Sequence, residues 1–148
     1  MTGDFKQLTI KQAHDLLVKK ELSVCALVEH FLKEAKAKNE LNAYLEIFDD
    51  VLAQADVAQK MIDEGRATML TGIPFAMKDN ILIKGKVASA SSKMLENYVA
   101  SYDAFVTKKL RDAGAVFLGR TNMDEFAMGG STENSAFGAT KNPHDKTR

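Results

Sequence analysis

Tryptophan is absent from the 148 residues, cysteine occurs once and proline twice. A single thiol, Cys25, excludes an internal disulfide, and with it the stapled secreted miniprotein. No apolar run reaches the roughly 18 residues that would span a bilayer, and the first residues scatter charge without a signal-peptide core. An excess of charge is also missing: 20 Lys and Arg against 20 Asp and Glu give a formal net charge of +0. The basic footprint of a stand-alone nucleic-acid binder is therefore lacking, and any RNA role would come through a partner. His14, His30 and His144 show no metal-ligand spacing, so no metal site is expected. Neither G-x-G-x-x-G nor G-x-x-x-x-G-K-[ST] occurs, which argues against nucleotide binding.

What is present is ordinary globular composition, 45% hydrophobic and 27% charged, with seven methionines suited to an intracellular enzyme core. A cytosolic or organelle-matrix protein is expected, without membrane contact. Thr9 followed by Gln12 is a capping-box pattern that opens a helix over 9–20, with Ala13, Leu16 and Leu17 on one face. Ser23 is placed to cap a second helix to about 38, with Val24, Leu27, Val28, Phe31 and Ala35 inward. The two predict a helical hairpin over about 8–40. A short strand over 43–48 then precedes a helix carrying Val51, Leu52, Ala55, Ala58 and Ile62 inward and ending near Gly65.

From about 43 to 148 the pattern is α/β. A strand is predicted over 74–78, with Pro74 at its start because it donates no ladder hydrogen bond. A small polar loop over 88–92 leads to a helix starting at Tyr102 or Asp103, with Val106, Leu110 and Ala113 inward and Gly114 as its cap. The run AVFLG over 115–119 is a buried strand, and the helix, glycine, apolar strand order predicts a parallel layer. Three strands cannot cover both faces and both edges of such a sheet, so the pattern reads as the first part of a larger α/β protein.

Lys78 is the most informative ionisable residue, at the C-terminal end of the 74–78 strand and followed by Asp79 and Asn80. Strand C-terminal ends are where α/β sheets place function. A lysine largely buried there loses affinity for its proton and can serve as a base. The alternative is a snorkelling lysine paired with Asp79. The stretch 122–138, NMDEFAMGGSTENSAFG, is a loop or short helix whose Gly129, Gly130, Ser131 and Thr132 could turn backbone N–H groups toward an anion or amide. Asp124 and Glu125 read as a first helical turn held by the helix dipole. Cys25 lies in the first turn of the second helix, where a thiol pKa can fall, although a small core cysteine is the simpler reading. Ser89, Ser91 and Ser92 lack a G-x-S-x-G turn or a histidine base and read as loop residues.

TGIPFAMKDNI, ASASSKMLENY and AVFLGRTNMDEFAMGGSTENSAFGATKNPHD together resemble the amidase signature family over nearly the whole chain from about Leu8. Their 122–143 part resembles its tRNA-dependent amidotransferase branch. The resemblance implies the N-terminal part of the amidase signature fold, a mixed sheet flanked by helices, incomplete in this chain, with 1–148 as one portion of a single domain. It also implies a Ser–cis-Ser–Lys triad in which Lys78 is the lysine, and a pocket loop at Gly129, Gly130, Ser131 and Thr132. Both serines of the family pattern fall beyond Arg148, so the chain is expected to be inactive alone, and Ser92, Ser131 and Ser135 match neither. Glutamine is the implied amide donor. Amidotransferase subunits B and C of a heterotrimer are the implied partners, with Glu-tRNA(Gln) reached through the first of these. No cofactor is implied for this chain; ATP and Mg belong to that same partner. The alternatives are a non-catalytic amidase-like binding module and a plain amidase acting on small amides.

Overall fold

The computed structural model describes residues 5–145 and 147. Among the described residues four α-helices, α1 (Ile10–Val18), α2 (Val24–Ala37), α3 (Val51–Asp63) and α4 (Phe105–Asp112), accompany three strands, β1 (Tyr44–Ile47), β2 (Pro74–Lys78) and β3 (Val116–Thr121). The strand order is β1-β3-β2. β1 runs antiparallel to β3, pairing Tyr44 with Thr121, Glu46 with Arg120 and Ile47 with Gly119. Val116 N–H donates to Ile73 O, and Asp79 N–H to Thr121 O, so numbering rises together along β2 and β3 and these two are parallel. The sheet is therefore mixed, as the resemblance implies, and the parallel layer predicted from the helix–glycine–strand order holds for β2 and β3 but does not extend to β1. That order constrains the link from α4 to β3 and carries no information on β1.

Two compact units divide the chain: Met1–Glu34, Phe48–Phe75 and Lys109–Leu118 form one, and Ala35–Ile47, Ala76–Lys108 and Gly119–Arg148 the other. In the first, α1 begins with the expected capping box, Thr9 and Gln12 exchanging side-chain and backbone bonds. Ala13 and Leu17 of α1, Val24, Leu27 and Val28 of α2, and Val51, Ala55, Ala58 and Ile62 of α3 are buried. Leu52, expected inward, is 44% exposed, because Val51, Ala55, Ala58 and Ile62 already complete the inward stripe. The Gln54 side chain accepts from Phe117 N–H at 2.9 Å and donates back to Phe117 O at 3.3 Å, replacing a strand partner where β1 does not reach. Gln59 Oε1 accepts from Val24 N–H, satisfying an otherwise orphaned amide at the start of α2. Gly72 has φ +78°, and a Cβ there would lie 2.7 Å from Val24 Cγ2. His30 sits edge-on between Phe5 and Phe31, a packed aromatic neighbour. Cys25 is half-buried and its thiol donates to Asp56 at 3.3 Å. Burial, reinforced by Asp56, pushes its pKa up, opposite to an activated thiol at a helix start.

In the second unit α4 starts at Phe105, two residues or more after the predicted start, because the Asp103 carboxylate is used to accept from Lys84 N–H. Val106 is 45% exposed, and the inward position is Thr107, whose hydroxyl donates to Leu82 O. Val87 and Val99 form an isolated antiparallel bridge that the sequence pattern did not announce. β3 runs on past the apolar 115–119 stretch to Thr121, since Arg120 and Thr121 are still paired with β1. Gly119 permits this: a Cβ at that position would fall on the backbone carbonyl oxygen of Glu46. Gly119→Ala is expected to force β1 off β3 and cost about 3 kcal/mol, a fall in Tm of roughly 6–12 °C by calorimetry. An unchanged Tm would show that β1 can move away without loss.

Candidate active site

Period-two alternation along β2 buries Met77 and turns Ala76 and Lys78 outward. Lys78 thus ends the strand with an exposed side chain. The expectation of a largely buried lysine is corrected, as is its alternative, pairing with Asp79. Asp79 lies on the opposite, buried side, its side chain fully excluded from solvent and bound to Arg120.

Six hydrogen bonds fix Asp79. Its N–H donates to Thr121 O and its carbonyl accepts from Ala90 N–H, each at 3.2 Å. Oδ1 accepts from Arg120 Nη1 at 2.7 Å and from Ser89 N–H at 3.2 Å. Oδ2 accepts from Ser91 N–H at 2.8 Å and from the Ser89 hydroxyl. A buried carboxylate survives only with such compensation. Ala90 and Ser91 take left-handed conformations, φ +49° and +50°, which fold the 89–91 backbone around the carboxylate as an anion nest. Arg120, its side chain 14% exposed, also donates from Nε to Glu46 Oε2 at 2.8 Å. Burial opposes its charge, but the hydrogen bonds to Asp79 and Glu46 outweigh that and raise its pKa above the ordinary arginine value. Ser89, Ser91 and Ser92, read from sequence as loop residues, are all fully buried, and Ser89 and Ser91 belong to this cluster. Ser92 caps the next short turn by accepting from Met94 N–H.

Asn122 joins the serine loop to the glycine-rich segment. Its Oδ1 accepts from Ser91 Oγ at 3.1 Å and Ser135 Oγ at 2.6 Å, and its Nδ2 donates to Gly138 O at 2.7 Å and Asn42 O at 3.2 Å. Two amides of the expected pocket loop are already engaged. Asp124 accepts from Ser131 N–H at 3.1 Å, Thr132 N–H at 2.9 Å and Asn134 N–H at 3.1 Å. Asp124 and Glu125 do open a turn, the three-residue Glu125–Ala127, with Asp124 O accepting from Ala127 N–H, but the Asp124 carboxylate makes no cap bond to it and is spent on the loop amides. Gly129 approaches so closely that a Cβ would lie 2.6 Å from Asp124 Oδ1. Gly129, Gly130 and Ser131 are exposed and Thr132 is half-buried. The loop is tied to the 88–92 segment by Phe126 N–H to Ala90 O and Ala136 N–H to Ser91 O, both 3.0 Å. Asn80 and Ala88 line an apolar hollow of about 310 Å³ with Leu82, Ala90, Leu95 and Tyr98. Among the described residues, no three His, Cys, Asp or Glu side chains are grouped to hold a metal ion, and no helix is long and apolar enough to cross a membrane.

Two outcomes follow from the charges. Asp79→Asn and Arg120→Gln should each destabilise the chain by about 3 kcal/mol, and the double variant by less than their sum, as read in urea denaturation; strict additivity would show that the ion pair is not coupled. The Thr132 N–H bond, with those from Asn134 and Ser131, holds the Asp124 pKa below the ordinary aspartate value. A depressed folded pKa means that the loop's stabilisation is complete above the unfolded value, about 3.9, and is lost as pH falls through the folded one. The amide resonances of Ser131, Thr132 and Asn134 should therefore titrate together with a midpoint below about 3.9, and stay flat in Asp124→Asn. A midpoint at or above that value would contradict this assignment.

The amidase family model matches residues 26–148. The A subunit of glutamyl-tRNA(Gln) amidotransferase from Ruminiclostridium cellulolyticum is 49% identical over 147 residues, 98% of this chain and 30% of that protein. Its namesake from Brachyspira hyodysenteriae is 45% identical over 148 residues, 97% of this chain and 31% of that one. The peptide amidase of Stenotrophomonas maltophilia superposes with a TM-score of 0.88 at 30% identity, over 97% of this chain and 31% of its own. The glutamyl-tRNA(Gln) amidotransferase A subunit of Thermotoga maritima superposes at 0.76 with 36% identity, over 98% and 29%. This chain spans about 30% of the length of the curated relatives it matches. The mixed sheet, its flanking helices and the matched sequence agree: the chain belongs to the amidase family.

Proposed function

We propose that residues 1–148 are the N-terminal portion of a single amidase domain in the glutamine-hydrolysing component of a glutamyl-tRNA(Gln) amidotransferase. That component supplies ammonia to convert Glu-tRNA(Gln) to Gln-tRNA(Gln). The observation that carries this reading is the 49% identity to the Ruminiclostridium cellulolyticum amidotransferase protein along 98% of the chain. Lys78, exposed where β2 ends, is the lysine of the triad. The bridging and nucleophilic serines belong to the roughly 70% of the relatives' length that this chain does not span. In the reaction the nucleophilic serine passes its proton through the bridging serine to neutral Lys78 and attacks the glutamine carboxamide carbon. Ammonia departs with a proton returned along the same path, and water then hydrolyses the acyl-serine to glutamate. Gly129, Gly130, Ser131 and Thr132 contribute the shape of the pocket wall, held by Asp124. Ammonia goes to the B subunit, which uses ATP and Mg on the tRNA-bound glutamate, and the C subunit completes the heterotrimer. The complex works in the cytoplasm or an organelle matrix.

A plain amidase is the second reading, favoured by the 0.88 superposition on the Stenotrophomonas peptide amidase. Hydrolysis of a peptide amide in preference to glutamine would select it. In the full-length protein, with its partner subunits where it has them, Lys78→Ala should lower glutamine hydrolysis by about 10²–10⁴-fold while circular dichroism is unchanged. Retained hydrolysis would overturn the lysine assignment.

A further inference from the structure

The residue after Lys78 is among the most heavily hydrogen-bonded polar residues described for this chain, and no step of the reaction uses it. Asp79 shares its peptide bond with Lys78, and both its backbone groups and both its carboxylate oxygens are bonded within the second unit. A strand end ordinarily frays, because its last N–H and C=O lack ladder partners. Here the Asp79 N–H is held on β3 by Thr121, and its carbonyl by Ala90. Arg120, itself paired with Glu46 of β1, draws the carboxylate back toward the sheet. The Cα of Lys78 is therefore fixed on a frame of three strands, while its side chain points outward with freedom only in its own torsions. The cost is visible in the loop that supplies the donors, where Ala90 and Ser91 both adopt left-handed backbone.

We infer that Asp79, with Arg120 and Ser89, is the positioning device for Lys78: the buried ion pair and serine nest hold the end of β2 so that the lysine side-chain nitrogen is presented at one fixed place. This rests on the reading of Lys78 as the triad lysine. A device of this kind acts on the chemical step and leaves substrate affinity alone, since a displacement of about 1 Å in a proton acceptor costs on the order of 10²-fold in rate.

The test uses the full-length protein, with rates normalised to the folded fraction by circular dichroism. Asp79→Asn removes the charge, and Ser89→Ala removes the two hydroxyl bonds, to Asp79 and from Arg120, while keeping every charge and the chain volume nearly constant. Both should lower kcat for glutamine by roughly 10–100-fold with KM within about twofold. Should Asp79→Asn fail to fold, Ser89→Ala decides. If Lys78→Ala abolishes hydrolysis while Ser89→Ala keeps kcat within about twofold, the positioning role falls and the lysine assignment stands. A raised KM at unchanged kcat would also overturn it, placing the cluster in substrate binding. Hydrolysis retained in Lys78→Ala removes both.

Discussion

A carboxylate with no solvent contact stands one peptide bond from the lysine at the end of β2, and the second unit is organised around satisfying its oxygens. Asp79 could not be buried alone, since an unpaired carboxylate in a protein interior either neutralises or is expelled. Arg120 supplies the opposite charge, but an ion pair inside a protein scarcely offsets its own dehydration without further hydrogen bonds. Those come from Ser89 and Ser91, and they require the 89–91 backbone to enter left-handed space. Arg120 in turn must reach β1, so Glu46 is opposite it in register and Gly119 lets the two strands approach. One buried charge thus accounts for a glycine in a strand, two strained loop residues and the extension of β3 past its apolar run.

Asp124 and Asn122 repeat the arrangement with less charge. Each is a short polar side chain with several donors or acceptors, and each gathers a loop that has no regular ladder of its own. Such hubs are cooperative, because losing one bond leaves the others poorly placed and a buried group unsatisfied. The first unit is built differently, from apolar helix faces in which Gln54 and Gln59 satisfy the few stray backbone groups. A polar framework specifies positions more sharply than an apolar core does, and here it adjoins the end of β2.

Much of the helical architecture was legible before any coordinates. The capping box at Thr9, the inward stripes of α1, α2 and α3, and β2 from Pro74 to Lys78 all follow from local periodicity and terminal chemistry. So did the family, through the stretches around Lys78 and 122–138. The reading weakened where side chains serve distant partners. Asp103 was spent on Lys84 and so delayed α4, Leu52 met a stripe already full, and β1 turned out antiparallel because strand direction depends on where the chain re-enters the sheet.

Local sequence determined which segments are helices and strands, and that Lys78 ends a strand, because capping, alternation and apolar spacing act between residues a few positions apart. Tertiary structure alone decided which polar residues are buried. Ser89, Ser91, Asp79 and Arg120 look like loop and surface residues in sequence, separated by up to 41 positions between Asp79 and Arg120. Burying a charge is tolerable only once its partners have converged, and nothing in the local pattern of any one of them carries that information.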